Sequence, residues 1–334
     1  MTSNSEEISI NFDDVKHGLR PLDLSHPTHP SEKDTEYLAY YDIDFSKHSD
    51  HINHFFGVLP VGLSSGKKIN IAVHYFRPQT STRTALVVHG FTDHVGLYGQ
   101  LFDYLLHRGC GVLAFDLPGH GLSDGEQLHI DSFGDYSLVF QQVLAYTQKN
   151  IGGPLHLFSQ SMGGAISMDY LLGQQFEVDG DPFDKVILLA PLVKPAGWFM
   201  IRLSYLILSP LVSSVKRKFT QSSNDAEFLD FQKNKDPLQA RRIPVTWVSA
   251  MIRWVRRFRK LNWSEKPVMI IQGQKDKTVN FKYGLKMIKE KFPNAKVMRL
   301  TEARHHLVCE DEKNFSRVVH AADLFFERRS KSRD

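Results

Sequence analysis

The sequence predicts an α/β fold in which helices cover both faces of a mostly parallel, doubly wound sheet. Short apolar runs without alternation, such as residues 85–88 and 186–190, are typical of strands buried on both faces. Stretches of helical period, such as residues 132–149, separate these runs. Strands that alternate with helices are joined by crossovers, so we expect the strands to run parallel.

The elements follow one another in a consistent order. Residues 36–41, 55–61 and 69–76 are rich in aromatic and β-branched residues and are expected to supply the leading antiparallel strands. The expected buried strands are residues 85–88, 112–115, 155–158, 186–190, 268–271 and 296–300. Helices are expected near residues 98–108, 132–149, 281–292 and 311–327, and directly after residue 161.

One insertion interrupts this alternation. Residues 191–263 show no strand alternation and are rich in helix formers, aromatic residues and arginine, which predicts a helical cap over the carboxyl edge of the sheet. The predicted division is a polar N-terminal arm (1–34), a core (35–190 and 264–334) and the cap insertion (191–263). The apolar stretch 198–208 is interrupted by Arg202 and is too short to span a bilayer.

Composition and charge narrow the class of protein. The 334 residues are 42% hydrophobic and 23% charged, as in an ordinary globular protein. The net charge is only +4, yet residues 191–260 hold 14 Lys or Arg against 4 Asp or Glu. The two cysteines, Cys110 and Cys309, suit a reducing compartment. With a polar start to the chain instead of a signal sequence, a cytoplasmic location is expected, with peripheral contact at the inner membrane face as a further hypothesis.

Ser161 stands between the apolar run 155–158 and a segment of helical period. A strand, a tight turn and a helix are the setting of a nucleophile elbow, in which a sharp turn presents a serine hydroxyl at the end of a strand. The usual pattern is G-x-S-x-G, and Ser159 replaces its first glycine here. A plain strand-to-helix turn fits this stretch equally well, so the assignment depends on the rest of the chain.

A serine hydroxyl needs a neighbouring base, and the base needs a third group that orients it and stabilises its charge. Asp276 follows the strand predicted at 268–271, and His305 follows the strand predicted at 296–300. The order Ser, acid, His, each at the end of a strand, is the order used with a nucleophile elbow. Taken singly, Asp276 fits a turn or helix cap and His306 is an alternative base. Together the positions predict Ser161 as nucleophile, Asp276 as acid and His305 as base.

An oxyanion hole requires two backbone N–H groups near the nucleophile. We expect them from Met162, directly after Ser161, and from Phe91, which follows the pair His89-Gly90. His89 itself is expected to be a structural hydrogen-bonding residue, as is His94. No residues have metal-ligand spacing, and the glycine-rich turn at 119–121 lacks the Lys-Ser/Thr of a P-loop. Neither a metal nor a cofactor is therefore expected.

Five motifs occur along the chain in an order found in one enzyme family. They are His89-Gly-Phe-Thr-Asp-His94 with Tyr98, Asp116-Leu-Pro-Gly-His-Gly-Leu-Ser-Asp-Gly125, Ser161-Met-Gly-Gly-Ala-Ile166, Gln272-Gly-Gln-Lys-Asp276 and Ala303-Arg-His305. With these motifs the chain resembles, from about residue 55 to 326, the monoacylglycerol lipase and lysophospholipase group of serine α/β-hydrolases, which includes bacterial lysophospholipase L2. The resemblance implies the α/β-hydrolase fold with an inserted helical cap, and it assigns Ser161, Asp276 and His305 to the catalytic positions and Phe91 and Met162 to the oxyanion hole.

The chain departs from the family at Ser159-Gln160, where Gly-His is common, and at the doubled His305-His306. The resemblance implies hydrolysis of single-chain lipid esters, either lysophospholipids or monoacylglycerols, through an acyl-enzyme. Apolar cap residues are expected to contact the acyl chain: Trp198, Phe199, Leu203 and Trp254. Two alternatives stay open within the same fold, a small-ester esterase or serine peptidase and a non-catalytic ligand-binding protein.

A basic run near the end of the cap predicts a second kind of partner. It consists of Arg253, Arg256, Arg257, Arg259 and Lys260, and it suits an anionic membrane surface. A solvated helix face is the alternative explanation. Nucleic acid is not expected as a partner, because these arginines belong to no recognised binding module.

Overall fold

The computed structural model describes residues 10–48, 51–174 and 180–326. Its strands are β1 (Ile52–Gly62), β2 (Lys68–Pro78), β3 (Arg83–Val88), β4 (Cys110–Phe115), β5 (Leu155–Gln160), β6 (Phe183–Leu189), β7 (Ser214–Lys216), β8 (Arg242–Pro244), β9 (Met269–Gly273) and β10 (Lys296–Leu300). Eight of them form a central sheet in the order β1-β2-β4-β3-β5-β6-β9-β10. β1 and β2 pair antiparallel, as do β2 and β4, and every later pairing is parallel.

Helices cover both faces of this sheet. They are α1 (Phe12–Gly18), α2 (Glu32–Tyr40), α3 (Phe45–His48), α4 (Gly99–His107), α5 (Phe133–Asn150), α6 (Met162–Gly173), α7 (Trp198–Leu208), α8 (Ala226–Asp230), α9 (Val245–Lys260), α10 (Phe281–Lys291) and α11 (Glu312–Phe326). One core layer packs α5, α6, α9 and α10 against the sheet, and a second packs α4 and α11 against the opposite face. This is the predicted α/β-hydrolase fold, with the carboxyl ends of its parallel strands gathered at one edge.

Two local expectations differ from the structure. Residues 36–41, grouped with the leading strands, lie in and just after α2, because Ser31 and Asp34 form a capping box that starts a helix there. The insertion expected to be purely helical also contains β7 and β8, which pair antiparallel. Strands of three residues are too short for an alternating pattern to reveal them.

The segment between β6 and β9 contains α7, β7, β8, α8 and α9, in the range predicted for the cap. We retain the division into arm, core and cap as a proposal, with the difference that the boundary expected at residue 34 falls inside α2. Part of the arm is packed against the core, because Val15 on α1 is buried. No helix among the described residues is both long enough and apolar enough to cross a membrane.

Candidate active site

Ser161 occupies the turn between β5 and α6, where its backbone takes φ +52° and ψ −109°. A positive φ is strained for a serine, and the site holds it with backbone hydrogen bonds: Ser161 N–H donates to Leu189 O, and Ser161 O accepts from Leu192 N–H, both at 2.9 Å. Gly163 makes the sharp turn sterically feasible, because a Cβ there would lie 2.2 Å from Val88 O. The local geometry is that of a nucleophile elbow.

His305 and Asp276 converge on this turn from two other strand ends. His305 Nε2 lies 2.9 Å from Ser161 Oγ, and His305 Nδ1 lies 2.7 Å from Asp276 Oδ2. The carboxylate can only accept, so Nδ1 carries the proton and Nε2 is free to accept from the serine hydroxyl. The structure therefore brings the three predicted residues into one hydrogen-bonded chain.

The acid is held by more than the histidine. Asp276 Oδ1 accepts from the N–H groups of Thr278 and Val279 at 2.8 and 3.1 Å, and Gln272 Nε2 donates to Oδ2 at 3.0 Å. Burial raises the pKa of Asp276, but the charge of His305 and these hydrogen bonds outweigh it, so that the net pKa is lowered. The carboxyl is therefore ionised at neutral pH, as a partner of an imidazolium must be.

The environment of His305 favours its charged form. Burial lowers the pKa of the imidazole, yet the charge and hydrogen bond of Asp276, with a smaller influence from Asp93, raise it above its ordinary value of 6.5. The loop itself is fixed from the insertion, because Ser222 O accepts the N–H of His305 at 3.0 Å and that of His306 at 2.8 Å. Sequence reasoning assigned nothing to Ser222, since a backbone carbonyl leaves no sequence signal.

The loop after β3 lies directly against the nucleophile. A Cβ at Gly90 would sit 3.3 Å from Ser161 Cβ, so glycine permits this close approach. In the part of the chain that the structure describes, the N–H groups of Phe91 and Met162 donate to no protein acceptor. Two free donors beside a serine hydroxyl are the arrangement that an oxyanion hole requires.

His89 is a structural residue, as the sequence analysis expects. Its Nε2 accepts from Leu117 N–H at 2.9 Å while Nδ1 lies 2.8 Å from Gly90 O, and this pattern requires the neutral ring with a proton on Nδ1. Burial lowers the pKa of His89 to about 3, which keeps the ring neutral. His89 thus ties the end of β3 to the segment after β4.

A second buried His–Asp pair lies beside the first. His306 Nε2 is 2.9 Å from Asp93 Oδ2, and the same oxygen accepts from Tyr98 OH and Gly90 N–H at 3.0 and 3.2 Å. His306 therefore faces the loop of Phe91 rather than Ser161. Asp93 belongs to the motif His89–His94, but its position in the sequence predicts no role, and only the fold shows that it contacts His306.

The insertion reaches the same loop through two contacts that the sequence analysis did not foresee. The rings of Phe91 and Trp247 stack with 3.7 Å between centroids. Asp236 Oδ2 lies 3.0 Å from His94 Nε2, and Asp236 Oδ1 accepts from Tyr41 OH at 2.8 Å. The loop of Phe91 and His94 thus contacts the insertion at Trp247 and Asp236, and Asp236 also binds Tyr41.

The hydroxyl of Ser159, which stands where the family pattern has glycine, has a hydrogen-bond partner within the core. Ser159 Oγ lies 2.6 Å from Ser167 Oγ on α6, and both side chains are buried. Gln160 Nε2 donates to His305 O at 2.9 Å, which links the elbow to the loop of the base. The extra hydroxyl is satisfied inside the core and leaves the turn at Ser161 intact.

The four apolar residues assigned to the substrate do not form one surface. Trp254 is 2% exposed and packs on Phe133 and Phe258, so its contacts are those of a core residue. Phe199 is 76% and Leu203 41% exposed on α7, while Trp198 on the same helix is half-buried against the core. The expectation that Trp254 joins the others along an acyl chain has no support in this arrangement.

The basic run on α9 divides in the same way. Arg257 Nη2 lies 3.3 Å from Asp169 Oδ2, a carboxylate that is 1% exposed, and Arg259 Nε donates to Tyr283 OH at 3.0 Å. Arg253 donates to Ser249 Oγ. Arg256 and Lys260 are exposed. Arg257 and Arg259 therefore make contacts within the folded chain.

The chain is similar in sequence to a family of hydrolases and to several known lipases. A family model described as serine aminopeptidase, S33 (Hydrolase_4) matches residues 79–312. Monoglyceride lipase of Homo sapiens is 27% identical over 277 residues, which cover 77% of this chain and 86% of that protein. Probable lysophospholipase L2 of Haemophilus influenzae is 24% identical over 306 residues, covering 81% and 93%.

Solved structures show the same fold. A soluble variant of monoglyceride lipase from Saccharomyces cerevisiae, solved in complex with a substrate analog, superposes with a TM-score of 0.66 at 18% identity and covers 78% of this chain and 92% of that chain. At this identity the likeness establishes the α/β-hydrolase fold.

Proposed function

The chain belongs to the family described as serine aminopeptidase, S33, and on that basis we propose that it cleaves the carboxylic esters of single-chain lipids through an acyl-enzyme at Ser161. One observation carries the proposal: the hydrogen-bonded chain from Ser161 Oγ through His305 to Asp276, with contacts of 2.9 and 2.7 Å. The chain is a hydrolase of the α/β-hydrolase fold related to monoglyceride lipases. The ester and the covalent step are what the proposal adds.

The first half-reaction forms the acyl-enzyme. Ser161 Oγ attacks the carbonyl carbon of the ester while its proton passes to His305 Nε2, and Asp276 stabilises the resulting imidazolium. The N–H groups of Phe91 and Met162 donate to the oxygen that becomes negative. The tetrahedral intermediate collapses, its C–O bond to the alcohol breaks, and the proton on Nε2 passes to the departing alkoxide.

Hydrolysis of the acyl-enzyme repeats these steps with water. His305 Nε2 accepts a proton from the water as its oxygen attacks the acyl carbon, and the same two N–H groups bind the second oxyanion. The intermediate then releases the fatty acid, and Ser161 Oγ recovers its proton from His305. No other reactant enters the sequence.

The lipid substrate is supported by relatives and by the surface of the insertion. Proteins similar to this chain are named monoglyceride lipase and probable lysophospholipase L2. α7 exposes an apolar face that continues beyond its end: Phe199 76%, Met200 59%, Leu206 66%, Ile207 59% and Leu211 74%. An exposed patch of this kind is typical of a site that receives a lipid or a membrane.

We further propose that this apolar patch, with the exposed cations of α9, docks reversibly on an anionic membrane. Apolar side chains that enter the headgroup region and nearby cations that meet anionic lipids are the two contributions to interfacial binding. The proposed compartment is the cytoplasm, at the inner membrane face. Two buried cysteines with free thiols, Cys110 and Cys309, suit such a reducing environment.

A peptidase is the second candidate, because the family description names an aminopeptidase and the same triad serves amides. The experiment that tests the proposal begins with a fluorophosphonate probe on the wild type and on Ser161→Ala. We expect the probe to label the wild type alone, because only an activated hydroxyl attacks it. Equal labelling of both would refute Ser161 as the nucleophile.

A substrate panel in buffer with EDTA then separates the candidates. It contains lysophosphatidylcholine, a monoacylglycerol of the same acyl length, p-nitrophenyl acetate and alanine p-nitroanilide. We expect the lipid esters to have the highest kcat/KM. Preference for the anilide would favour the peptidase, preference for the acetate a small-ester esterase, and no turnover at all a non-catalytic binding protein.

A further inference from the structure

The small sheet of β7 and β8 concentrates positive charge without a counter-charge. Its strands and flanking residues carry Lys216, Arg217, Lys218, Arg241 and Arg242, and neither strand contains Asp or Glu. Across residues 10–48, 51–174 and 180–326, none of the five forms an ion pair with a carboxylate. Such a group of cations creates a positive potential that attracts anions.

Arg217 differs from its neighbours because it is only half exposed and is held in place. Its Nη1 donates to Gln239 Oε1 at 2.6 Å and to Ala240 O at 3.3 Å, and its guanidinium carbon lies 4.4 Å from the centroid of the Phe219 ring. Arg241 approaches the same ring at 5.2 Å. Within the described residues, Nε and Nη2 of Arg217 donate to no protein acceptor, so one edge of the fork remains available.

Contacts on either side of Arg217 fix its position relative to the candidate active site. Gln239, which accepts from Arg217, donates to Asp236 at 2.9 Å, and Asp236 contacts His94 in the loop of Phe91. Further along the segment that Arg217 begins, Ser222 O accepts the N–H of His305. Contacts therefore link the segment of Arg217 to the loop of Phe91 through Gln239 and Asp236, and to the loop of His305 through Ser222.

The electrostatics of Arg217 favour the approach of an anion. Burial, with a contribution from Arg241, lowers the pKa of Arg217 to about 10, although the charges of Asp93 and Asp236 oppose this change. Both carboxylates are already engaged, Asp93 by His306 and Asp236 by His94. A cation that is partly withdrawn from water and, within the described residues, forms no ion pair with a carboxylate is stabilised by an incoming anion.

We propose that Arg217, supported by Arg241, binds the phosphate of the substrate head group, so that lysophospholipids are preferred over neutral monoacylglycerols. This inference rests on the proposed function and deepens it by naming the substrate class. The free edge of the guanidinium matches two phosphate oxygens in a bidentate contact, which a glycerol hydroxyl does not provide. Arg217 is thus a specificity residue, and the ester carbon meets only the triad and the oxyanion N–H groups.

The test uses monomeric ligands, so that membrane docking has no influence. Calorimetry compares binding of 1-O-octylglycerol 3-phosphate, 1-O-octylglycerol and inorganic phosphate to wild type, Arg217→Gln, Arg217→Lys and the control Arg83→Gln. Arg83 begins β3, at the end of the sheet remote from the site, so its replacement removes the same charge elsewhere. The matched octanoyl esters are assayed for kcat/KM with the same proteins.

We expect Arg217→Gln to weaken binding of the phosphate-bearing ether roughly 10- to 100-fold and to leave the neutral ether unchanged, as for loss of a hydrogen bond to a charged group. Arg217→Lys should retain part of the affinity, and Arg83→Gln all of it. Equal loss for both ethers, or no loss, would overturn the inference, as would inorganic phosphate binding as tightly as the ether phosphate.

The binding measurements and the hydrolysis assays together also distinguish failure of this inference from failure of the proposed function. Both octanoyl esters could be hydrolysed, with a ratio of their kcat/KM values that Arg217→Gln leaves unchanged. That result would support the proposed hydrolase and refute the phosphate site. If neither ester is hydrolysed while Arg217 still discriminates between the ethers, the phosphate site stands and the proposed function falls.

Discussion

His306 Nε2 and Asp93 Oδ2 lie 2.9 Å apart and form a buried pair next to the pair of His305 and Asp276. The two adjacent histidines therefore face different carboxylates on different loops. Since Asp93 also accepts from Gly90 N–H, His306 links the loop of the proposed base to the loop that carries Phe91. We therefore expect the position of the proposed oxyanion donor, relative to the proposed nucleophile, to depend on this link.

His306 is accordingly expected to act as a positioning residue. His305→Ala should lower kcat by about 10³ or more, because triad members act as a unit. His306→Ala should lower kcat about 10- to 100-fold with little change in KM, because the donor is displaced and not removed. His306→Gln keeps a donor for Asp93 and should recover most of the rate. A larger loss for His306→Ala than for His305→Ala would transfer the role of base to His306.

The pH profile should report on Asp276. His305 must be neutral to accept the proton, and its pKa is raised, so kcat/KM on a soluble ester should fall as the pH drops through a value above 6.5. Asp276→Asn removes the charge that raises this pKa and leaves burial, which lowers it. The acidic limb should move to lower pH while the rate falls about 10⁴-fold. An unchanged limb in the variant would contradict the assignment.

Gly163 should tolerate no side chain. A Cβ would approach Val88 O to 2.2 Å and His89 O to 2.7 Å, both rigid backbone atoms, so we expect Gly163→Ala to cost about 1–3 kcal/mol or more of unfolding free energy. Gly284→Ala is the matched control. Gly284 lies in α10, and a Cβ added there would have no atom closer than 3.8 Å. Helix propensity therefore predicts a gain of about 0.5–1 kcal/mol in unfolding free energy. Denaturant unfolding measures both, and equal effects would argue against the tight turn.

Arg257 should contribute to stability more than to membrane binding. Its replacement by Gln leaves the buried Asp169 with the hydroxyl of Ser137 as its remaining side-chain donor, so a loss of about 1–3 kcal/mol is expected. Arg256→Gln, which removes the same charge from the exposed face of α9, should change stability by less than about 0.5 kcal/mol. Chemical denaturation of the two variants distinguishes these roles, and equal midpoints would refute the difference.

Membrane docking should depend on the apolar face of α7 and on salt. Co-sedimentation with vesicles that contain phosphatidylserine should be clear at low salt and weak at high salt, because the attraction is screened within a Debye length. Leu206→Ser with Leu211→Ser should reduce binding at least about tenfold, since two exposed apolar side chains no longer enter the interface. Hydrolysis of a short soluble ester serves as the folding control. Equal binding to neutral and anionic vesicles would argue against docking by charge.

Local patterns were sufficient to predict the sheet and the succession of its strands. The parallel strands are short and continuously apolar, and the helices between them are periodic, so each element is encoded within its own residues. The order of Ser161, Asp276 and His305 at strand ends could be predicted for the same reason, because parallel strands bring their carboxyl ends to one edge. The structure brings these three side chains within hydrogen-bond reach, and their catalytic role stays a prediction.

The contacts of the insertion depend on the tertiary structure. Asp236 contacts His94, Trp247 stacks on Phe91, and Ser222 O accepts the N–H of His305. No spacing or periodicity in the sequence predicts these contacts. Two short strands and a backbone carbonyl leave no pattern, since their partners are distant along the chain. The basic run is a further example, because only the tertiary structure shows that Arg257 forms an ion pair with the buried Asp169.

The sequence by itself determined the fold class, the family and the three residues at the strand ends, because these depend on local periodicity and on motifs that specify tight turns. Only the tertiary structure decided that Trp254 belongs to the core, that His306 faces Asp93, and that Arg217 forms no ion pair with a carboxylate among the described residues. Burial and charge pairing are properties of the neighbours that folding brings together, and those neighbours come from elements far apart in the chain.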